Sequence, residues 1–174
     1  MLDPKSLLFY SHDIFSDSGT DGIMNVILEL IEIEHGSFFM YGNSETKSSV
    51  LLAESGWSGA FVTPKKDLFL DYKDRYEFND NIKCFNSLIT TGYGLDLLIN
   101  ESYPHSYITN GRTIDVMAIH CNGLEYKIFE TMTTQPKVLL LYGGMYVHPQ
   151  CNIKLPEEYS DYMSQSLTTF IELA

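Results

Sequence analysis

Basic residues are scarce in this sequence. Eleven lysines and arginines face 23 aspartates and glutamates, a net charge of −12 at pH 7, and the only arginines are Arg75 and Arg112. A chain so acidic repels phosphate backbones and anionic lipid surfaces, which argues against a general nucleic-acid or membrane-surface binder. Cysteine is scarce as well. Cys84, Cys121 and Cys151 are odd in number, widely spaced and form no CxxC pair. Neither a disulfide framework nor a cysteine-rich zinc site is expected, and the thiols read as reduced residues of a cytosolic protein. Long apolar runs are missing too: no stretch reaches the ~18 residues of a membrane span. The opening MLDPKSLLFYSHD has no apolar core followed by a small-residue cleavage site, so it does not read as a signal peptide. A cytoplasmic location is the resulting expectation.

What is present fits one folded domain. The chain has 174 residues, 44% of them hydrophobic and 20% charged, close to the globular average. It contains no repeat and no low-complexity tract. Two periodicities alternate along it. Residues 21–34, DGIMNVILELIEIE, read as a helix with Ile23, Ile27, Leu30 and Ile31 on one face and Thr20 or Asp21 as cap. SFFMY at 37–41 reads as a strand between Gly36 and Gly42, and 48–55 as one or two helical turns stopped by Gly56. AFVT at 60–63, IKCF at 82–85, IDVMAI at 114–119 and VLLLY at 138–142 read as further strands. Helices are expected at 125–132 and 157–173; 67–73 reads as a solvated amphipathic helix face, and TTGYGLD at 90–96 as a turn.

Strands that alternate with helices require crossover connections, hence a parallel sheet covered on both faces. Such sheets bind ligands beyond the carboxyl ends of their strands, where the strand order reverses. That rule singles out 42–47, 63–66, Asn86, 120–123 and 142–145.

Several of these segments resemble the FkbM-like family of S-adenosylmethionine-dependent methyltransferases. SDSGTDGIMNVILEL at 16–30 is similar to the family's Ser-Gln-x-Gly-Glu-Asp-Gly opening before a helix. ESGWSGAFV at 54–62 resembles its Lys-Gly-Trp-x-Gly-x-x-Ile element. IDVMAIHCNGLEYKIFE at 114–130 resembles its Asp-Phe-Leu-Ser-Ile-Asp-Ile-Asp-Gly-Asn-Asp-Tyr-x-Ile element, and QPKVLLLYGG at 135–144 its Lys-Pro-Lys-Val-x-x-Ile-Glu-Tyr-Asn strand. The four occur in the family's order over residues 16–170. The resemblance implies a Rossmann-like methyltransferase-type three-layer α/β fold with about five mainly parallel strands ordered 3-2-1-4-5. It also implies S-adenosylmethionine as cofactor and methyl transfer to an oxygen or nitrogen nucleophile.

The family's anionic positions are largely replaced. Its first loop begins Glu-x-Gly-x-x-x-Gly; MYGNSETKSS at 40–49 keeps Gly42 but has no acid on the strand. Glycine there permits close backbone approach and positive φ, a conformation Asn43 tolerates better than Ser44 does. The acid that holds the ribose hydroxyls after strand two corresponds to Thr63, and the two aspartates of the fourth-strand motif to His120 and Asn122. Gly123, Glu125 and Tyr126 match in type, whereas the Glu-Tyr-Asn run of the fifth strand becomes Leu141, Tyr142 and Gly143. By resemblance, the cofactor contacts are Gly42, Asn43, Ser44, Thr63, Asn86 and His120.

His120 is the one candidate catalytic group, a general base whose ordinary pKa lies near neutrality. His120, Cys121, His148 and Cys151 have metal-ligand chemistry, but their spacing matches no zinc pattern and no metal is expected. Trp57 reads as packing at a helix-to-strand turn, and Arg75 and Arg112 as surface ion-pair partners. The family fold continues past its last helix into a hairpin beside strand five, which this chain, ending at Ala174, is expected to lack. An edge reading VLLLY is an aggregation hazard unless covered. A homo-oligomer built on strand five is therefore expected. Three functional readings remain: a methyltransferase-like protein with a degenerate cofactor site, a catalytically inactive binding or assembly module on the same fold, and a shortened glycan- or nucleotide-handling enzyme on that fold.

Overall fold

In the computed structural model, the described residues are 7, 9–16, 19–43, 47–103, 114–121 and 124–141. The closing helix expected at 157–173, the end of VLLLY at Tyr142, and Ser44, Arg112, Asn122, Gly123, Gly143, His148 and Cys151 lie outside them. The elements run α1 (Thr20–Leu30), β1 (Ser37–Gly42), α2 (Lys47–Glu54), β2 (Ser58–Thr63), α3 (Lys66–Arg75), β3 (Ile82–Asn86), α4 (Gly92–Ser102), β4 (Val116–His120), α5 (Glu125–Thr131) and β5 (Val138–Leu141). The five strands form one sheet ordered β3-β2-β1-β4-β5. Every pairing is parallel, with Phe38 opposite Gly59 and Val116, Phe61 opposite Cys84, and Met117 opposite Leu139. This is the expected Rossmann-like α/β architecture, and among the described residues no helix is long and apolar enough to cross a membrane.

The sequence of β1 explains why the sheet must be covered twice. All six of its residues are buried. Period-2 alternation sends Phe38 and Met40 to one face and Phe39 and Tyr41 to the other. Met24 and Leu28 of α1, Val50, Leu52 and Ala53 of α2, and Tyr72 of α3 pack on the first face. There Phe61 stacks on Tyr72 with ring centres 4.4 Å apart and on Tyr76 at 5.3 Å. Leu95 and Ile99 of α4 and Ile128 of α5 pack on the second face. The result is three layers, helix on sheet on helix, held mainly by the removal of apolar surface from water. Trp57, 3% exposed, packs in the first core at the turn from α2 into β2, as its position in sequence suggests.

Four local expectations are corrected. The buried residues of α1 are Asp21, Gly22, Met24 and Leu28, while Leu30 and Ile31 are exposed and Ile23 and Ile27 half-buried. The helix is apolar on nearly every side, so its periodicity does not fix which face is covered. Its cap is Gly19, with no side-chain cap bond; neither Thr20 nor Asp21 serves. It stops at Leu30 rather than residue 34, because Glu32 turns left-handed at φ 57° and Ile33 N–H bonds back to Leu28 O, the reversal that ends a helix in a Schellman motif. The same reversal ends α2, at Gly56 with φ 82° and Trp57 N–H bonded to Leu52 O. Finally, 92–102 is helix, not the turn expected from its glycines: Thr91 Oγ1 caps it by accepting Gly94 N–H at 3.3 Å.

Asp21 has a different task from capping. Its carboxylate Oδ2 accepts the backbone N–H groups of Ile14, Phe15 and Ser16 at 3.0, 2.6 and 2.7 Å. Burial pushes the carboxyl up, but these three bonds together with Ser48 outweigh it and hold its pKa below the ordinary value. The segment 10–16 is thereby tied across the start of α1, where Gly22 N–H donates to His12 O at 3.1 Å.

Candidate functional site

In this topology the strand order reverses between β1 and β4. At that point Gly42, the last residue of β1, is the register partner of His120, the last residue of β4. Asn43 N–H donates to His120 O at 2.8 Å, continuing the ladder one residue beyond the strand. On the other side of β1, Thr63 ends β2 opposite Asn86, which ends β3. Five of the six residues that the resemblance assigns to the cofactor therefore lie along one edge of the sheet, at its carboxyl end; Ser44 lies outside the described residues.

Each is held in its own way. A Cβ added to Gly42 would stand 2.9 Å from His120 O and 3.3 Å from His120 Cβ. The glycine is thus required by close approach of β4. Neither Gly42 nor Asn43 has positive φ, which corrects the left-handed conformation expected of this loop; among the described residues only Gly19, Gly56 and Glu32 have it. Thr63 is fully buried. Its Oγ1 accepts Lys65 N–H at 3.2 Å, and its carbonyl accepts Asn86 Nδ2 at 2.9 Å and Ser87 N–H at 3.1 Å. Its hydroxyl thus turns the chain from β2 towards α3, and it is Lys65, exposed at that turn, that stands at the surface.

His120 is half-buried. Burial lowers the pKa of its imidazole; the negative charge of Glu125 opposes that shift and the positive charge of Lys65 adds to it. Glu125 itself is 1% exposed, and its Oε1 accepts Cys121 N–H at 2.7 Å. This carboxylate serves the turn between β4 and α5. Burial, with Glu125 second, drives the Cys121 thiol far up, so this cysteine stays protonated and unreactive. Beneath the edge, Tyr41 Oη donates to Ile89 O at 2.8 Å and accepts Ile89 N–H at 3.0 Å. Burial raises its pKa to about 12.

Two residues gain weight that the sequence pattern alone does not give them. Lys65 follows a proline and reads as a loop lysine, yet its charge reaches His120 across the end of β1. Glu125 reads in sequence only as the first acid of a helix, and the structure shows what it does: it fixes the chain just past His120 by accepting Cys121 N–H. Among the described residues no group of three histidine, cysteine, aspartate or glutamate side chains is arranged to hold a metal. A separate cavity of about 350 Å³ opens on the flank of α2, lined by Phe15, Lys47, Val50, Glu54 and Arg75. None of the five strand-end residues lines it.

The chemistry of the strand ends can be tested against S-adenosylmethionine. The cofactor presents ribose hydroxyls, which call for an acceptor carboxylate, and a sulfonium cation. Among the described residues the strand ends offer Asn43, Lys65, Asn86 and His120, and the nearest carboxylate, Glu125, is buried and engaged. This donor set does not fit a cationic nucleoside. No protein-family model matches the chain, and a search of curated proteins finds no match.

Proposed function

We propose that this chain is a methyltransferase-like domain with a degenerate cofactor site, which holds a nucleoside-type ligand at the reversal of strand order and has lost methyl transfer. The carrying observation is the β3-β2-β1-β4-β5 order with Gly42 and His120 paired at the reversal. Ligands of open parallel sheets collect at such a point. Of the two forms of the reading, an active S-adenosylmethionine-dependent methyltransferase and an inactive binding or assembly module, the second is favoured by the absence of an available carboxylate among the described strand ends. Losing a two-bond carboxylate anchor costs a bound ribose ~1–3 kcal/mol. His120 is the general-base candidate of the active form. Its lowered pKa keeps it neutral at pH 7, the protonation state a base requires.

Calorimetric titration with S-adenosylmethionine and S-adenosylhomocysteine tests the choice. Binding weaker than millimolar for both supports the inactive module. Micromolar S-adenosylmethionine binding overturns it in favour of the methyltransferase. Assembly is the second element of the proposal. Strand β5 ends the described sheet, with Leu139, Leu140 and Leu141 half-buried, and a second copy of the chain would cover that edge. Solution mass measurement checks this; a monomer at high micromolar concentration removes it.

A further inference from the structure

The mismatch with a sulfonium cofactor says which ligand would match. We infer that the strand-end site takes an anion, the phosphate of a mononucleotide, held between Lys65 on one side of β1 and His120 on the other. The inference rests on the proposal of a nucleoside-type ligand at this edge and assigns that ligand its charge.

The geometry is set by three adjacent strands. β2 and β4 flank β1 on opposite sides, so their ends stand two strand spacings apart, ~9.5 Å. Between them β1 ends in Gly42, where no side chain can stand because β4 approaches too closely. Thr63 Oγ1 holds the Lys65 backbone, which places an exposed lysine at one margin of this gap, with exposed Lys66 beside it. His120 and the backbone of Asn43 form the other margin, joined by the Asn43 N–H to His120 O bond. Asn86 adds an exposed amide side chain at the end of β3.

Charge follows the same pattern. The whole chain carries −12 with eleven basic residues in 174, yet two of those eleven stand side by side here. They are also the N-cap and first residue of α3, where no side chain makes a cap bond and Asp67 is the sole acid of the first turn. Cations at the positive end of a helix are unfavourable, and a bound anion removes that penalty. Among the described residues the carboxylate beside His120 is that of Glu125, which is buried and accepts Cys121 N–H. A phosphate fits such a set: it accepts from lysine as a point charge and from the second Nδ2 hydrogen of Asn86, the first being given to Thr63 O. A sulfonium would meet like charge.

The test is a calorimetric titration of the whole chain with adenosine 5′-monophosphate, adenosine, inorganic phosphate and S-adenosylmethionine, repeated on Lys65→Gln. Lys65 is exposed, and its backbone bonds survive the change, so the variant folds. The expected result is binding of adenosine monophosphate that weakens about tenfold or more in Lys65→Gln and falls with added salt. Adenosine and S-adenosylmethionine bind more weakly. Inorganic phosphate that binds with the same dependence on Lys65 supports the anion while showing that the base adds little. Adenosine or S-adenosylmethionine binding as tightly as the monophosphate, or unaltered monophosphate affinity in Lys65→Gln, overturns the inference and leaves the nucleoside reading standing. Failure of all four probes overturns both.

Discussion

The two ends of the sheet treat charge in opposite ways. At the amino end, Asp115 is 7% exposed and saturated. Its Oδ2 accepts Ser37 N–H at 2.8 Å and Ser37 Oγ at 3.1 Å, and its Oδ1 meets Lys137 Nζ at 2.7 Å. Asp115 N–H donates in turn to Ser37 O, and Val138 N–H to Asp115 O. One carboxylate thus joins the starts of β1, β4 and β5. At the carboxyl end, among the described residues, the exposed groups are Lys65, Lys66, Asp67 and Asn86, His120 and Asn43 are half-buried, and the Glu125 carboxylate is buried. Bonds within the protein satisfy the charge of the first end and leave the lysine charge of the second exposed. The one fastens the frame and the other is the proposed binding edge, within strands only four to six residues long.

That contrast is broken most easily at the amino end. Asp115→Ala leaves Ser37 N–H without its acceptor and strands a lysine charge beside a buried site. Lys137 is half-exposed, so solvent recovers part of the loss, and the expected cost is ~2–4 kcal/mol. Urea unfolding followed by circular dichroism measures it. A cost below ~1 kcal/mol would mean that the amino end is not the stronger of the two.

Asp96 is a second saturated carboxylate in the frame. Its Oδ2 accepts Thr133 N–H and Oγ1 at 2.8 Å each, and its Oδ1 accepts Thr134 N–H at 3.0 Å and Oγ1 at 2.6 Å. The bonds tie α4 to the segment leading into β5. Asp96→Ala is expected to cost ~1–3 kcal/mol in the same assay, less than Asp115→Ala because the threonines stand nearer to water. Ligand affinity at the strand ends should stay unchanged in both variants.

At the carboxyl end a smaller effect is expected. Thr63→Val preserves volume but removes the acceptor of Lys65 N–H. A loss of ~1 kcal/mol in stability follows, together with weaker binding of adenosine monophosphate, since Lys65 is no longer held. Equal losses in Asp115→Ala and Thr63→Val would erase the distinction between the two ends.

The frame was legible in the sequence because two of its strands are apolar throughout. SFFMY is buried along its whole length, which only two helical layers can provide, and a parallel sheet follows; at the end of the described sheet only Val138 of β5 is buried and Leu139, Leu140 and Leu141 are half-buried. Tertiary packing decided what periodicity could not. In α1, apolar side chains point in most directions, and the sheet selects Met24 and Leu28. In α4, Gly92 and Gly94 disfavour a helix locally, but the Thr91 cap and the burial of Leu95 and Ile99 outweigh them. The candidate site was legible as a set of positions, since strand ends can be counted. Its charge was less so. The lack of acids at Thr63 and His120 was visible in the letters, whereas the action of the Lys65 charge on His120 depends on three strands standing side by side.

The smallest expected effect concerns His120 and separates the two ends by pH. Its folded-state pKa lies below the ordinary value of 6.5 because burial disfavours the imidazolium. The unfolded chain therefore takes up a proton that the folded chain resists. Stability is unaffected by His120 at pH above ~7 and falls as pH drops through 6.5 towards the lower folded value. His120→Asn removes this contribution, so the stability difference between wild type and variant should be flat above neutrality and should decline from pH ~6.5 downwards. The lowered carboxyl of Asp21 acts in a separate window, its contribution being lost only as pH falls below 3.8. Chemical denaturation at a series of pH values resolves the two. A rise instead of a decline below pH ~6.5 would mean that the Glu125 charge outweighs burial at His120, and the carboxyl end would then be an anionic site like its counterpart across the sheet.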